Sequence, residues 1–367
     1  MNNMERNQAI LKSKQHFVLL DGLRGVAALG IVIFHFMEWI FTDPSQNFIG
    51  HGFLAVDFFF CLSGFVIGYA YDDRIQKMGI KEFLKSRLIR LHPLVILGAV
   101  LGLLGYFIDP FAFASTTDNS TIVLLFLSAL LLIPLPIMQE RAYNMFAFNA
   151  PAWSLFWEYI ANIVYALVLC RLGRRTLMAL TVFAAAGIIY VSHIAGNLLG
   201  GWSKDNWLHG GARVAYSFLA GLLIYRCNWI IKNNLGFMVL AVLLCAAFLT
   251  PSIAKYNWII ESIVVLVYFP LIVSLGAGSN LSERVRPICK FSGDISYPLY
   301  MTHYAGIWVF GNYLTGRKPS MEQLTWIIVF STIALIVFAY LVMKLYDIPI
   351  RKYLTKRRHE SVSRLEN

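Results

Sequence analysis

The chain has 367 residues, of which 58% are hydrophobic and 14% are charged, and its formal net charge is +11. Soluble globular chains have about a quarter of their residues charged, whereas several windows here run for about twenty residues almost without charge, the length that crosses a hydrocarbon core. The composition argues against a soluble domain, and the short basic clusters between apolar windows indicate membrane topology rather than nucleic-acid binding.

The apolar windows predict ten spans, near 18–40, 52–70, 93–109, 152–170, 176–194, 209–226, 236–250, 258–275, 294–313 and 324–346. The segment 122–139 is also apolar, but Pro134 and Pro136 in its second half would break a helix, so it is predicted to be re-entrant or interfacial. Charge favours that count. With ten spans, the loops on one side contain only the basic residues Arg141, Lys204, Lys255, Arg317 and Lys318. The positive-inside rule makes that side the outer one and places both termini in the cytoplasm.

We expect an all-α fold: a polytopic integral membrane bundle of about ten transmembrane helices and one re-entrant or interfacial segment, in a single domain over residues 1–367. Residues 1–17 and the basic residues 347–367 are predicted to be cytoplasmic tails at the inner (cytoplasmic) membrane. The inner loop 72–93 has apolar residues at roughly helical spacing and is predicted to be a basic amphipathic helix on the membrane surface. The five cysteines are scattered, so they predict packing thiols and no disulfide framework or metal site. No pattern specifies an oligomeric state.

Arg24 and His35 both lie in the first predicted span, eleven residues apart. At about 100° per residue the two side chains face the same side of a helix, with a rise of about 16 Å between them. Glu38, three residues after His35, continues that face. The alternatives are an interfacial Arg24 and a packing histidine. The pair favours function, because ionisable residues within spans are costly and usually line a site.

Two carboxylates are predicted near the depth of His35: Asp57 in the second span and Glu158 in the fourth. A carboxylate at that depth could orient the imidazole or hold it as a base. The alternative is hydrogen bonding between helices for packing alone. Gly64 and Gly68, four residues apart in the second span, predict close packing against another helix.

Arg87 and Arg90 lie three residues apart at the cytoplasmic end of the third span, a spacing that suits a polyphosphate gripped by two guanidinium groups. Anchoring to anionic lipids is an equal alternative. Trp153 also fits an aromatic residue of the membrane interface. His303 falls in a span that is predicted to be interrupted by Pro298. The sequence has no phosphate-binding glycine loop and no G-x-S-x-G motif, which argues against nucleotide-driven pumps and soluble-type hydrolases.

Five segments in order resemble the acyltransferase family 3 membrane proteins, which O-acylate bacterial surface carbohydrates and related acceptors: LDGLRGVAALGIVIFHF, VDFFFCLSGFVIG, RLIRLHP, APAWSLFWEY and ISYPLYMTH. The resemblance implies acyl-CoA, first of all acetyl-CoA, as a cytoplasmic cosubstrate, with no permanently bound cofactor. It also implies a carbohydrate or lipid-linked glycan acceptor on the outer side of the lipid bilayer. The family's functional residues fall on His35, Arg24, Arg87, Arg90 and Glu158.

The resemblance and the spacing together predict a transfer channel. His35 is predicted to act as general base, with Asp57 or Glu158 beside it, and the acyl-CoA-binding residues are Arg24, Arg87 and Arg90. Candidate channel-lining residues are Ser63, Trp153, Ser154, Tyr297 and His303. Direct transfer is the first choice and a transient acyl-histidine the second. The rival hypothesis is a secondary transporter or flippase, because ionisable residues within spans also mark transport paths.

Overall fold

A computed structural model describes residues 17–363, and within that range the chain is helical without β-strands. The helices are α1 (Val18–Ile40), α2 (Ala55–Tyr71), α3 (Ile75–Met78), α4 (Ile80–Ile108), α5 (Asn119–Leu130), α6 (Ala152–Leu167), α7 (Arg174–Ala195), α8 (Trp207–Arg226), α9 (Gly236–Phe248), α10 (Asn257–Ile263), α11 (Phe269–Gly278), α12 (Arg286–Arg317), α13 (Met321–Val342) and α14 (Ile348–Ser363). Short π-helical turns join α10 to α11 and α13 to α14. The predicted all-α class is confirmed.

Seven helical stretches of the described residues are long and apolar enough to cross a membrane: Val18–Ile40, Gly52–Tyr71, Ile80–Ile108, Ala152–Arg171, Arg174–Ala195, Asn257–Gly278 and Met321–Arg358. Each overlaps a predicted span. Of the other predicted spans, α9 has only 13 residues, and α8 and α12 are long but more polar. Both polar helices bury many side chains in the bundle, where protein can accept polar groups that lipid would not. The count of ten is therefore not confirmed.

The core is built on two long helix pairs, α1 with α12 and α2 with α8. In the second pair a Cβ atom on Gly64 would lie 2.0 Å from the carbonyl oxygen of Phe218, and one on Gly221 would lie 1.8 Å from that of Cys61. Because no side chain fits at either distance, glycine lets the two backbones approach closely. The packing predicted for Gly64 is confirmed. The cysteines Cys61, Cys170, Cys227, Cys245 and Cys289 are all free.

The inner loop 72–93 does not form one separate amphipathic helix, which corrects the prediction in part. Its second half is the beginning of α4, which runs through Pro93 to Ile108 without a break. Phe83 is fully buried, and its ring packs 4.8 Å from that of Tyr71 and 5.5 Å from that of Tyr165. The helical spacing of the apolar residues correctly indicated a helix, but those side chains face other helices as well as the surface.

Proline has opposite effects in two other segments. α5 ends at Leu130, and the chain continues without helix past Pro134 and Pro136. A helix of 12 residues is too short to cross a bilayer, which agrees with a non-spanning segment at 122–139. Pro298, in contrast, lies inside α12, which is continuous from Arg286 to Arg317. The predicted interruption of that span is wrong.

The predicted carboxyl-terminal tail is helical from residue 348 to residue 363, which is the last residue that the structure describes. This helix, α14, packs against α4, and Arg358 donates to Glu82 over 2.6 Å. Arg351 pairs with Asp347 at 2.6 Å. The segment is therefore part of the bundle rather than a loose tail. The predicted amino-terminal tail lies outside the described residues except for its last residue.

Candidate active site

Two cavities lie along α1, which is a single unbroken helix of 23 residues. The histidine cavity has a volume of about 340 Å³, and its walls include His35, Glu38, Arg141, Trp153, Tyr304 and Trp308. The arginine cavity has a volume of about 120 Å³, and its walls include Arg24, Ser63, Arg87, Arg90, Glu158 and Tyr297. Val56 and Tyr300 line both cavities, so the two spaces adjoin each other at these residues.

The imidazole of His35 is held on three sides. Its Nδ1 lies 2.5 Å from Oε1 of Glu38. Because a carboxylate can only accept a hydrogen bond, Nδ1 carries the proton in this contact, and in the neutral tautomer Nε2 is the nitrogen with the lone pair. The ring of Tyr304 meets the imidazole edge-on at 4.8 Å, and that of His303 stacks on it at 5.4 Å. The arrangement orients an imidazole that lines the cavity.

His303, a candidate channel-lining residue, lines neither cavity and is fully buried. Its Nδ1 lies 3.0 Å from the carbonyl oxygen of Leu299, one turn earlier in α12. The ring of His303 packs against that of His35. This buried position corrects the prediction that His303 lines the channel.

Asp57 does not contact His35, which corrects the predicted pairing. Its Oδ2 lies 2.5 Å from Nη2 of Arg213, and both side chains are almost completely buried. Arg213, on α8, also donates to the carbonyl oxygens of Gly200 and Phe53. A buried guanidinium is unfavourable without a paired carboxylate, and Asp57 supplies one to Arg213. Arg213 itself lines the histidine cavity, so Asp57 acts there only through its partner.

Glu158 likewise lies away from His35. Its Oε1 lies 3.2 Å from Nη2 of Arg87 and accepts a hydrogen bond of 2.9 Å from the hydroxyl of Ser63. All three side chains line the arginine cavity. The prediction gave only the depth of Glu158 along the membrane normal and not the direction of its side chain. The side of α6 that carries Glu158 faces α4. The structure therefore replaces the predicted partner of His35 with Glu38, on the same helix.

Arg24 is fixed at the wall of the arginine cavity by α12. Its Nε donates to the hydroxyl of Ser296 over 2.8 Å, and its Nη2 donates to the carbonyl oxygen of Gly293 over 2.8 Å. Asp21, one turn earlier in α1, lies 3.2 Å from its Nη1. These contacts hold the guanidinium in place without neutralising the cavity as a whole.

Arg90 contributes the free cation of this cavity. Within residues 17–363 its exposed side chain makes no hydrogen bond or ion pair. The like charges of Arg24, Arg87 and Arg351 all act on it. A pocket with an excess of guanidinium groups is suited to bind an anion, and arginine binds phosphate with two parallel hydrogen bonds.

The remaining candidate lining residues lie on both sides of the junction. Trp153 lines the histidine cavity, whereas Ser154 and Tyr297 line the arginine cavity. The hydroxyl of Ser154 lies 2.8 Å from that of Tyr300, which borders both. Tyr297 donates to the carbonyl oxygen of Leu91 over 2.6 Å. The turn that starts α6 therefore lies where the two cavities adjoin.

Sequence reasoning placed Glu38 on the face of His35 but did not pair the two side chains. The spacing of three residues was a sufficient signal, since such pairs are neighbours on a helix. Arg213 was also missed, although it is an ionisable residue inside the predicted span 209–226 and so required a partner. Nothing in the sequence indicated that Arg141, in a loop, is buried.

The fold and the site define a class of protein: a helical bundle with membrane-spanning helices, an oriented imidazole in one cavity and a cluster of arginines in the adjoining one. Residues 17–344 match a family model described as an acyltransferase domain. The chain belongs to acyltransferase family 3, as the resemblance predicted.

Individual relatives agree with this membership. Over 47% of its length the chain is 37% identical to protein 2 in picA locus of Rhizobium radiobacter and covers 90% of that protein. Over 93% of its length it is 25% identical to a Staphylococcus aureus (strain COL) protein provisionally named an O-acetyltransferase, and it spans 58% of that protein's length. A stretch of 80 residues is 40% identical to the O-acetyltransferase OatA of S. aureus (strain NCTC 8325 / PS 47), 12% of which is covered. No solved structure matches the chain.

Proposed function

We propose that the protein is a membrane O-acyltransferase that moves an acyl group, in the first instance acetyl, from cytoplasmic acyl-CoA to a hydroxyl of an extracytoplasmic or lipid-linked carbohydrate. The observation that carries the proposal is that Val56 and Tyr300 line both cavities. An anion-binding space thereby adjoins the space that contains an oriented base. The family membership and the names of the staphylococcal relatives support the same reaction class.

The donor enters through the arginine cavity. The CoA phosphates stay at the mouth of this cavity beside Arg90 and Arg87, and the pantetheine arm extends from there toward Tyr300. From Arg24 to His35 the helix rises about 16 Å, a distance of the order of the extended arm. Arg24 then lies at the entrance of the arm and His35 beside the thioester.

Orientation in the membrane follows from charge. α14 is rich in Lys and Arg and packs on the beginning of α4, the helix that also carries Arg87 and Arg90. The positive-inside rule places this end in the cytoplasm, where acyl-CoA is available. The histidine cavity then faces the outer half of the membrane, and the protein lies in the cytoplasmic membrane with both termini inside.

The chemistry is an acyl transfer with His35 as general base. Nε2 of His35 takes the proton of the acceptor hydroxyl while the hydroxyl oxygen attacks the carbonyl carbon of the thioester. The C–S bond breaks, the acyl group stays on the acceptor oxygen, and the departing thiolate takes the proton from the imidazolium. Glu38 stabilises the imidazolium between these two proton transfers, as a carboxylate does for the histidine of a catalytic triad.

The proposal is tested in cells that lack the gene and are complemented with wild type, His35→Gln or His193→Gln. The control, His193, is an exposed helical histidine on α7 that lines neither cavity. Wild type and the control restore O-acyl groups on surface glycans, measured by mass spectrometry. His35→Gln lowers transfer by about a hundred- to ten-thousandfold and leaves acyl-CoA binding to purified protein unchanged. Unaltered acyl content without the gene, combined with altered uptake or export, would instead establish a transporter.

A further inference from the structure

Arg141 is a buried cation in the loop between α5 and α6. Only 9% of its surface is exposed, and its side chain lines the histidine cavity. The guanidinium carbon lies 3.9 Å from the centre of the Trp308 ring and 6.0 Å from that of Tyr106. Stacking on an aromatic ring occupies the face of a guanidinium, and the N–H groups in its plane stay available.

Those N–H groups have no protein acceptor. Over residues 17–363 the side chain of Arg141 makes no hydrogen bond or ion pair. The nearby carboxylates are engaged elsewhere: Glu38 with its histidine on α1, Asp109 with the amide of Asn312 at 2.7 Å, and Glu140 with a backbone N–H of the preceding loop at 2.6 Å. Burial, only partly offset by Tyr304, Tyr106, Asp109 and Glu140, lowers the pKa of Arg141 to about 10. The side chain therefore remains charged at neutral pH.

The loop holds this cation in position at a cost. The two residues after it, Ala142 and Tyr143, have φ angles of 51° and 50°, a left-handed conformation that disfavours side chains other than glycine. Such strain persists only where the surroundings impose it, and it is common at binding sites. Here the backbone N–H of Lys204 donates to the carbonyl oxygen of Tyr143 over 3.1 Å. The backbone N–H of Met145 donates to the carbonyl oxygen of Trp202 over 2.8 Å.

Aromatic rings connect this cation to the base. The ring of Trp308, on which Arg141 stacks, lies 5.4 Å from that of Tyr304, which lies 4.8 Å from the imidazole of His35. Trp39 closes the same wall, 5.8 Å from Trp308. The cavity of about 340 Å³ is thus lined by aromatic rings along one side and carries the unpaired Arg141 at one position and His35 at another, whereas Arg213, which also lines it, is paired with Asp57. Those are the features of a site for a ligand with a flat apolar face and a negative group.

We propose, on the basis of the proposed function, that the acceptor is an anion whose carboxylate or phosphate group binds to Arg141 while its hydroxyl lies at His35. A buried cation without a partner is unfavourable, and an oxyanion that accepts two hydrogen bonds from the guanidinium removes that penalty. Arg141 is therefore a specificity residue for the acceptor. It takes no part in proton transfer.

The first experiment measures binding to the full-length protein in lipid nanodiscs, without acyl-CoA, by quenching of tryptophan fluorescence. The probes are methyl glucuronide, its neutral counterpart methyl glucoside, and a short-chain polyprenyl phosphate. The variants are Arg141→Gln, Arg141→Lys and the control Lys204→Gln, which removes an exposed positive charge from the adjoining loop.

Wild type and Lys204→Gln bind at least one anionic probe more tightly than the neutral one. Arg141→Gln weakens that binding about tenfold to a hundredfold, the usual effect of losing a hydrogen bond to a charged group, and Arg141→Lys restores part of it. Selective loss of the glucuronide identifies an acidic sugar, and selective loss of the polyprenyl phosphate identifies the phosphate of a lipid-linked acceptor. Equal binding of charged and neutral probes, or an equal loss in Lys204→Gln, overturns the proposal.

Arg141→Met separates this role from a structural one. Methionine keeps the length and apolar contact of the side chain but removes the unpaired charge, so the melting temperature stays the same or rises while the preference for the anionic probe disappears. A large fall in melting temperature together with retained preference would overturn the proposal. Because binding is measured without donor, absence of acyl transfer with every probe would contradict the proposed function and leave this result intact.

Discussion

His35 and Glu38 face each other across one turn of α1, with Nδ1 of the imidazole 2.5 Å from Oε1 of the carboxylate. The imidazole and the carboxylate that orients it therefore come from one helix, and the rings of Tyr304 and His303 on α12 hold the imidazole from its other sides. The carboxylate accepts from Nδ1 and, in the neutral tautomer, leaves Nε2 as the nitrogen that the proposed mechanism uses as a base.

Glu38→Gln is expected to lower the acyl transfer rate by about a hundred- to ten-thousandfold, because an amide neither fixes the Nδ1 proton nor stabilises the imidazolium. The loss falls on kcat, whereas the affinity for acyl-CoA is unchanged. Steady-state kinetics with purified protein measure both. Glu38→Asp recovers part of the rate, and Glu322→Gln, at an exposed site that begins α13, serves as the control. A change confined to KM would show that Glu38 binds substrate instead.

Arg90→Ala is expected to weaken acyl-CoA binding about tenfold or more, since a charge-assisted hydrogen bond contributes roughly 1.5–3 kcal/mol. Arg90 makes no contact whose loss would unfold the bundle, so the melting temperature stays the same. Arg90→Lys restores binding only in part, because an ammonium group does not reproduce the guanidinium fork. Lys81→Ala, at an exposed position at the beginning of α4, is the matched control in isothermal titration. Equal losses in the two alanine variants would reduce Arg90 to a general surface charge.

Asp57→Asn is expected to destabilise the fold rather than the chemistry. Breaking a buried ion pair on one side costs about 3–5 kcal/mol, and Arg213 would be left buried without its carboxylate. The melting temperature in detergent therefore falls sharply, and the double variant with Arg213→Gln recovers part of it. Asp43→Asn, at an exposed loop position, is the control. An unaltered melting temperature with abolished transfer would return Asp57 to the catalytic group.

The sequence was sufficient for several features that lie within one helix, although it missed the His35–Glu38 pair and wrongly predicted a break at Pro298. The limits of α1, the shared face of Arg24 and His35, and the end of α5 before Pro134 all follow from periodicity and backbone chemistry. Each of these depends on contacts within about one or two turns, where helical geometry is fixed. The fold class followed from composition, since long apolar windows admit few structures other than helices.

The errors about side-chain partners arise where packing against a second helix determines which groups meet. Asp57 and Glu158 were placed by depth, which gives one coordinate, whereas their partners depend on the rotation of each helix about its axis. That rotation is set by packing, such as the close approach of α2 to α8 at Gly64, and no periodicity within one segment reports it. The burial of Arg141 could not be predicted for another reason. It depends on left-handed backbone angles at Ala142 and Tyr143, and these residue types do not indicate such angles.

The last prediction concerns a buried pair near the beginning of α2. Nε2 of His51 lies 3.3 Å from Oε1 of Glu261, with both side chains 1% exposed, and its Nδ1 lies 2.8 Å from the carbonyl oxygen of Thr250. Burial lowers the pKa of His51, but the charge of Glu261 and the hydrogen bond to Thr250 outweigh it and raise the pKa above its usual value of 6.5. The folded chain therefore binds this proton more tightly than the unfolded chain. The contribution of the pair to the free energy of unfolding is fully present below pH 6.5 and is lost as pH rises through the folded pKa. We expect the melting temperature in detergent to fall between pH 6 and pH 8.5, and His51→Gln to remove this slope while His193→Gln keeps it. A slope that survives in His51→Gln would assign the pH dependence to another group.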